Sequence, residues 1–275
     1  MGKPRGRFPF CILNSWDFVI LNLITMWNRN KIKKVLLLLK LKLKEKIYQG
    51  RLKYVLEKNS SDTLVIIFSA FSPRPVYNYM YTLEKLRNAD KLYILDDFGY
   101  KGSYYWYENG HNTPLILVKS LIQATINRMG YKNLVTIGSS KGGTCAIYYG
   151  LMFGAQHIFA GACQYYVGDY LSDKPDILNA MMGETNEMVI AKLNDMMPAH
   201  LRQHKGSTSL IHLLYSPNEN TYDKHIIYLL ADLKKYGIPF EEIIDNFKDH
   251  NDVGKPFSHL LSIYFGLESS GRSIK

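Results

Sequence analysis

The sequence predicts an α/β fold, a mostly parallel sheet with helices on both faces and a small helical cap insertion. Three observations carry this. From residue 47 onward, short β-branched and aromatic runs alternate with helical stretches of 10–16 residues, the pattern of strands joined by covering helices. An apolar content of 47% is enough to build a core and excludes a disordered or collagen-like chain. A length of 275 residues suits one large α/β domain at least as well as two small ones.

The elements follow in order. Ile47–Tyr48 and Leu52–Leu56 flank Gln49-Gly50-Arg51 and read as a hairpin. Thr63–Phe68, TLVIIF, is a continuous apolar run bounded by polar residues, as expected of a strand buried on both faces. Tyr77–Leu86 reads as a helix, Lys91–Leu95 as a strand and Pro114–Met129 as a helix. Leu134–Ile137 is then a strand, Gly142–Phe153 a helix and His157–Ala162 a strand. Residues 169–206 break the alternation: they look helical and lack a strand, which suggests a cap inserted over the sheet edge. The pattern resumes with a strand at Ser209–Tyr215, a helix at Tyr222–Tyr236, a strand at Phe240–Ile244 and a closing helix at Pro256–Phe265. No repeat or low-complexity linker marks a second domain, so residues 47–275 read as one domain preceded by a basic segment, residues 1–46.

The net charge of +10 belongs to that N-terminal region. Residues 1–58 hold 14 Lys and Arg against three acids, a charge of +11, and residues 59–275 carry −1. No zinc-finger spacing, RNP-like strand or basic zipper accompanies it, so nucleic acid is not the expected partner. Residues 31–46, KIKKVLLLLKLKLKEK, are either an amphipathic scaffold element with a solvated Lys face or a basic element lying on anionic lipid or another anionic polymer. The peripheral membrane contact would run through residues 29–46. The mainly apolar stretch before it is interrupted by Asn14, Ser15, Asp17 and Asn22 and lacks a small-residue cleavage site, so it reads as part of a soluble chain. Cys11, Cys145 and Cys163 show no pairing pattern, as expected in a reducing, cytoplasmic setting. No metal-ligand cluster is legible, and the chemistry below requires no cofactor or metal.

The segment Leu134–Tyr149, LVTIGSSKGGTCAIYY, carries the chemistry. A strand runs into Gly138-Ser139-Ser140-Lys141-Gly142, a G-x-S-x-G sequence, and on into an apolar helix. A strand that turns at once into a helix strains its central residue, and glycine two positions to either side lets the backbones pass. Ser140 would project from the turn as a nucleophile, with the helix N-terminus beneath it and the Lys141 amide aimed at an oxyanion. A phosphate loop is the competing reading, but it needs G-x-x-x-x-G-K-[ST], and Lys141 precedes Gly142.

In this architecture the partners follow in chain order Ser, acid, His. His111 precedes Ser140, His157 and His212 fall in apolar strands, and His200 and His204 fall in the cap. His225 and His259 lie within helices, which leaves His250, in a polar loop between the last strand and the last helix, as the base. The acid should follow the strand ending at Tyr215. Glu219 is nearer the strand end and is the first choice, with Asp223, equally readable as a helix-start charge, as the alternative. A second oxyanion donor is expected after TLVIIF, from the amide of Phe71 or Ala70. Tyr104, Tyr105 and Trp106, in GSYYWYENG, either stack on sugar rings or pack their own loop.

The arrangement resembles the α/β-hydrolase superfamily. Within it, Ile137–Thr144, the strand end Gly161-Ala162-Cys163-Gln164-Tyr165 with Gly168-Asp169-Tyr170-Leu171, and His250-Asn251-Asp252-Val253-Gly254-Lys255 look like the XcbB/CpsF-type proteins of bacterial capsular polysaccharide biosynthesis. The resemblance covers most of residues 60–265. It implies an α/β-hydrolase-like fold, a cytoplasmic bacterial protein concerned with surface polysaccharide, and kinship with accessory secretion proteins that acetylate glycans. Two functions are then expected to compete. One is a serine esterase or O-acyltransferase that acts on an acylated carbohydrate or polysaccharide through an acyl-enzyme. The other is a non-catalytic scaffold that binds polysaccharide or biosynthetic partners.

Overall fold

The computed structural model describes residues 32–267 apart from Lys34 and Pro73. Cys11, the apolar stretch read as soluble and residues 29–31 of the basic element lie outside the described residues. Contacts divide the chain into two compact units, at Leu43/Lys44. Residues 32–33 and 35–44 are helical (α1). Ile32, Val35, Leu36, Leu39 and Leu43 are all exposed, and their spacing places them on one stripe of a helix.

The second unit is built on an eight-stranded sheet in the order β1-β2-β4-β3-β5-β6-β7-β8. β1 (Lys46–Tyr48) and β2 (Leu52–Glu57) form an antiparallel hairpin. Gln49 and Gly50 in its turn are both left-handed, with φ of 46° and 72°, a backbone twist that matches the strands. β2 pairs antiparallel with β4 (Asp90–Ile94), and from there the sheet is parallel through β3 (Thr63–Phe68), β5 (Asn133–Ser139), β6 (His157–Gly161), β7 (Leu210–Tyr215) and β8 (Phe240–Ile244). The central strands are near-continuous apolar runs because helices cover both faces. Those helices include α2 (Thr113–Met129), α3 (Lys141–Met152), α7 (Ile227–Tyr236) and α8 (Gly254–Tyr264). No helix among the described residues is long and apolar enough to cross a membrane.

The expected cap is present as three helices, α4 (Val167–Ser172), α5 (Pro175–Met182) and α6 (Glu187–Gln203), between β6 and β7. His200 on α6 is buried and stacked on Tyr148, with ring centroids 3.9 Å apart, and its Nε2 lies 2.7 Å from the Tyr148 carbonyl oxygen. Burial lowers its pKa to about 3, so the ring holds this packing in its neutral form. His157 and His212 are partnered too: His212 bridges His157, at 3.0 Å, and Glu241, at 2.9 Å.

One expected element is absent. Tyr77–Leu86 is a run of turns rather than a helix. Tyr79 sits at φ 57°, a left-handed value that ends any helix at that point. The side chains account for it, since the Tyr77 hydroxyl bonds Glu45 at 2.7 Å and the Tyr79 hydroxyl bonds Ser139 Oγ. Tertiary contacts here override a helical pattern.

Chain order reverses between β3 and β5: β3 connects outward to β4, and β5 connects the other way to β6. In an open parallel sheet that reversal leaves a crevice beyond the carboxyl ends of the two strands. Phe68 and Ser139 are the last residues of those strands.

Candidate active site

Ser140 is the single residue between β5 and α3, with φ 53° and ψ −128°. A non-glycine residue held there costs on the order of 1–3 kcal/mol and persists only where its surroundings enforce it. They do. The Ser140 amide donates to the Gly161 carbonyl at 2.7 Å, and its own carbonyl accepts from the Gly143 and Thr144 amides. A Cβ on Gly138 would lie 2.1 Å from the Gly142 carbonyl oxygen, and one on Gly142 would lie 2.7 Å from that of Phe68. Both glycines are therefore required by contact, as the G-x-S-x-G spacing implied.

His250 opens a 3₁₀ turn (His250–Val253) between β8 and α8. Its Nε2 lies 2.7 Å from Ser140 Oγ and its Nδ1 2.9 Å from Glu219 Oε1. Glu219 is buried in the loop after β7, where Thr221 donates its hydroxyl to Oε2 and its amide to Oε1. Burial alone would raise the Glu219 pKa, but the hydrogen bonds from His250 and Thr221 outweigh it and hold the carboxyl below its ordinary range. Asp223 lies in a single π turn, Tyr222–Ile226, that leads into α7. It borders a different cleft of about 550 Å³, with Lys174, Lys224 and Tyr228. Of the two acids, Glu219 is the one the structure brings to His250.

The Lys141 amide heads α3 beside Ser140. Across the crevice, the Ala70 amide is taken by Asn78 Oδ1 at 3.1 Å, and Phe71 lines the cleft that holds Ser140. The Lys141 side chain does something the sequence did not disclose. It is fully buried, with Nζ 2.5 Å from Asp96 Oδ2 and over the rings of Tyr105 and Phe71 at 4.8 and 5.5 Å. Asp96 also accepts from the Ser103 amide, the Ser103 hydroxyl and the Tyr105 amide.

Tyr104, Tyr105 and Trp106 correct an expectation: all three are at 0% exposure. Tyr104 and Tyr105 both have φ 55°, and Tyr104 stacks on Trp106 with ring centroids 5.3 Å apart. A ring with no exposed face has none to offer a sugar, so this loop is core packing. The cleft at Ser140, of about 510 Å³, has other aromatics, Phe71, Tyr79, Tyr81 and Tyr170, beside Asn78 and Asn251. Tyr170 lines this cleft and also packs against His250, with ring centroids 6.5 Å apart. Gln164, beyond β6, also reaches the centre: its Nε2 is 3.3 Å from Ser140 Oγ.

No family model matches the chain, and no match is found among the curated proteins. Solved structures do match. A mutant of the capsule O-acetyltransferase of Neisseria meningitidis serogroup A in complex with CoA superimposes with a TM-score of 0.69 at 20% identity, covering 80% of this chain and 94% of that one. The glycosylation associate protein complex from Streptococcus agalactiae gives 0.64 at 15% identity, over 82% of this chain and 47% of that one. An alpha/beta hydrolase from the metagenome of lagoon sediments at Mar Chica, Morocco, gives 0.52 at 13% identity, over 81% and 98%. At these identities the likeness is one of fold, and this chain has the α/β-hydrolase fold.

Proposed function

We propose that this chain is a serine-dependent O-acyltransferase that modifies a carbohydrate hydroxyl in a bacterial capsule or other surface polysaccharide. The observation that carries the reading is the continuous relay from Glu219 through His250 to Ser140, with 2.9 and 2.7 Å steps, on a strained turn at the head of a helix. Ser140 Oγ attacks the donor's acyl carbonyl as its proton passes to His250 Nε2, and the amides of Lys141 and Phe71 take the developing oxyanion. The leaving group departs with the proton from His250, and Ser140 carries the acyl group. A sugar hydroxyl then gives its proton to His250 and attacks the acyl-enzyme carbonyl. The adduct collapses by breaking the acyl–Oγ bond as His250 returns the proton to Ser140 Oγ. Glu219 stays ionised and fixes the imidazole tautomer throughout. Water in place of the sugar would make the same centre an esterase. Likeness to a capsule O-acetyltransferase solved with CoA favours transfer, with an acyl-CoA thioester as donor.

The test is covalent. A fluorophosphonate probe should label Ser140, and Ser140→Ala should abolish labelling and acyl transfer to a sugar acceptor, a loss of about 10⁶-fold in comparable triads, while the far-UV spectrum is unchanged. A scaffold that only binds glycans has no reason to keep an activated serine. An unlabelled wild-type protein, or labelling that maps to Ser139, would remove the proposal.

A second reading concerns location and rests on the exposed stripe of α1. Ile32, Val35, Leu36, Leu39 and Leu43 are 54–88% exposed in the part of the chain that carries its positive charge. We propose that this helix rests on anionic lipid at the inner face of the membrane, the apolar stripe inserted and the lysines beside headgroups. Attraction of about 1 kcal/mol per Lys or Arg near the surface is screened beyond a Debye length of about 8 Å at physiological salt. The protein should sediment with phosphatidylserine vesicles at low salt, less at high salt, and not after Leu36, Leu39 and Leu43 are changed to Gln. Equal sedimentation with neutral and anionic vesicles would end this reading.

A further inference from the structure

We infer that Gln164 is a further catalytic residue, a hydrogen-bond donor to the Ser140 nucleophile, and that the buried Tyr104 hydroxyl is the positioning group that aims it. The inference rests on the acyl-transfer reading of the site and adds two residues that neither the motif nor the relay contains.

The backbone of Gln164 is clamped to the helix that carries the nucleophile. Thr144, in the first turn of α3, accepts from the Gln164 amide at 2.9 Å and donates its hydroxyl to the Gln164 carbonyl at 2.8 Å. The side chain is 1% exposed, so each polar atom needs a partner inside the protein. Nε2 has three acceptors near it: Ser140 Oγ at 3.3 Å, the Ala162 carbonyl oxygen at 3.4 Å and His250 Nε2 at 3.5 Å. Oε1 has the Tyr104 hydroxyl at 3.2 Å.

Chemistry fixes which end of the amide faces the nucleophile. The Ala162 carbonyl can only accept, so an amide oxygen turned toward it would meet another oxygen, whereas the nitrogen can donate to it. Tyr104 supplies the donor that Oε1 needs on the opposite side. One Nε2 hydrogen goes to Ala162, and the other is directed into the gap between Ser140 Oγ and His250 Nε2.

The consequence for the reaction follows from the hydroxyl's valence. By accepting from Gln164, Ser140 Oγ keeps its own proton free for His250 Nε2, at 2.7 Å. Once His250 holds that proton its Nε2 is a donor and no longer a partner for Gln164, whose second hydrogen is left with Oγ alone while the first stays on the Ala162 carbonyl. During deacylation Oγ departs with developing negative charge, and a donor already in place stabilises that charge without reorganisation. Tyr104 touches none of the reacting atoms and acts only through the amide it orients. Its complete burial, which disqualifies it as a sugar platform, suits this role.

The variants are Gln164→Met, which keeps the volume and removes the donor, Tyr104→Phe, which removes the aiming hydroxyl, and the double substitution. The readouts are the rate of fluorophosphonate labelling, kcat and KM on a short acyl ester, and the melting temperature. A lost hydrogen bond to a charged atom corresponds to about 10–100-fold. Gln164→Met should slow labelling and kcat by that factor with KM changed less than about twofold. Tyr104→Phe should give a smaller loss, and the double variant should be no slower than Gln164→Met, because Tyr104 has nothing left to aim. A merely structural role would move the melting temperature and leave the labelling rate of the folded fraction alone. Wild-type labelling of folded Gln164→Met would overturn the inference, and so would a Tyr104→Phe effect of undiminished size in the Gln164→Met background. If Gln164→Met does not fold, Tyr104→Phe decides by its own labelling rate, where an unchanged value overturns the inference. A wild-type protein that is not labelled at all would instead sink the acyl-transfer reading, so the two failures are told apart by the first measurement.

Discussion

Glu219→Gln is expected to lower kcat by about 10⁴, the loss seen when the carboxylate of a comparable triad becomes an amide, while Asp223→Asn stays within a few-fold of wild type. The difference is local. Glu219 Oε1 accepts from His250 Nδ1 at 2.9 Å, and Thr221 holds both carboxylate oxygens, so the acid cannot turn away from the ring. An amide in its place can present its NH₂ to Nδ1, which would put the ring proton on Nε2 and leave no acceptor for the Ser140 proton. Binding of a small ester would be little altered, so KM should move less than kcat. The carboxyl is held below its ordinary range because hydrogen bonds overcome burial. Its contribution to stability is therefore present above the pKa of an unfolded glutamate and is lost as pH falls through the lower folded value. Stopped-time assays with a chromogenic acyl ester on the two variants decide the matter. Retained activity in Glu219→Gln together with its loss in Asp223→Asn would move the acid to Asp223.

The strands and the turn at Ser140 were legible because they are local. TLVIIF and LVTIGS read as buried strands from their own residues, and Gly138 is required by its contact with Gly142 inside the motif, while Gly142 is required by the carbonyl of Phe68 at the end of the neighbouring strand. The loop positions of His250 and of the acid could be read from topology, since each follows a numbered strand. The choice between Glu219 and Asp223 could not, because four residues along a loop do not say which carboxylate reaches an imidazole 31 positions away. Tyr104, Tyr105 and Trp106 are ambiguous for a different reason, since an aromatic run suits a sugar platform and a core equally. Burial separates the two, and burial here depends on Tyr148 and Tyr149 on α3 and on Phe68 at the end of β3. Gln164 carried no signal beyond its place in a block shared with a family. Its role depends on Tyr104 and Ser140, 60 and 24 residues away. Tyr77–Leu86 failed as a helix because Glu45 and Ser139 draw its tyrosines aside, again across long sequence separations.

The same limit hid the ion pair beneath the nucleophile, and it leads to the largest stability effect expected of this chain. Lys141→Met should destabilise the protein by about 3–5 kcal/mol, because removing one partner of a buried pair strands the other charge. Asp96 would keep the Ser103 and Tyr105 donors, but those neutral groups do not replace the ammonium. Asp96→Asn should cost less than Lys141→Met. The ammonium it leaves behind retains the rings of Tyr105 and Phe71, and such contacts are worth about 0.5–2 kcal/mol. The double variant, Lys141→Met with Asp96→Asn, should recover most of the loss, since replacing both charges by groups of similar size is often close to neutral. Urea unfolding of the four proteins measures this directly, and the coupling is the shortfall from additivity. Additive losses, or single-variant effects below about 1 kcal/mol, would mean that the pair is not what holds the turn. The amide that heads α3 belongs to the backbone at residue 141 and survives the side-chain change. The folded double variant should therefore still be labelled at Ser140, which separates the support of the turn from the chemistry performed on it.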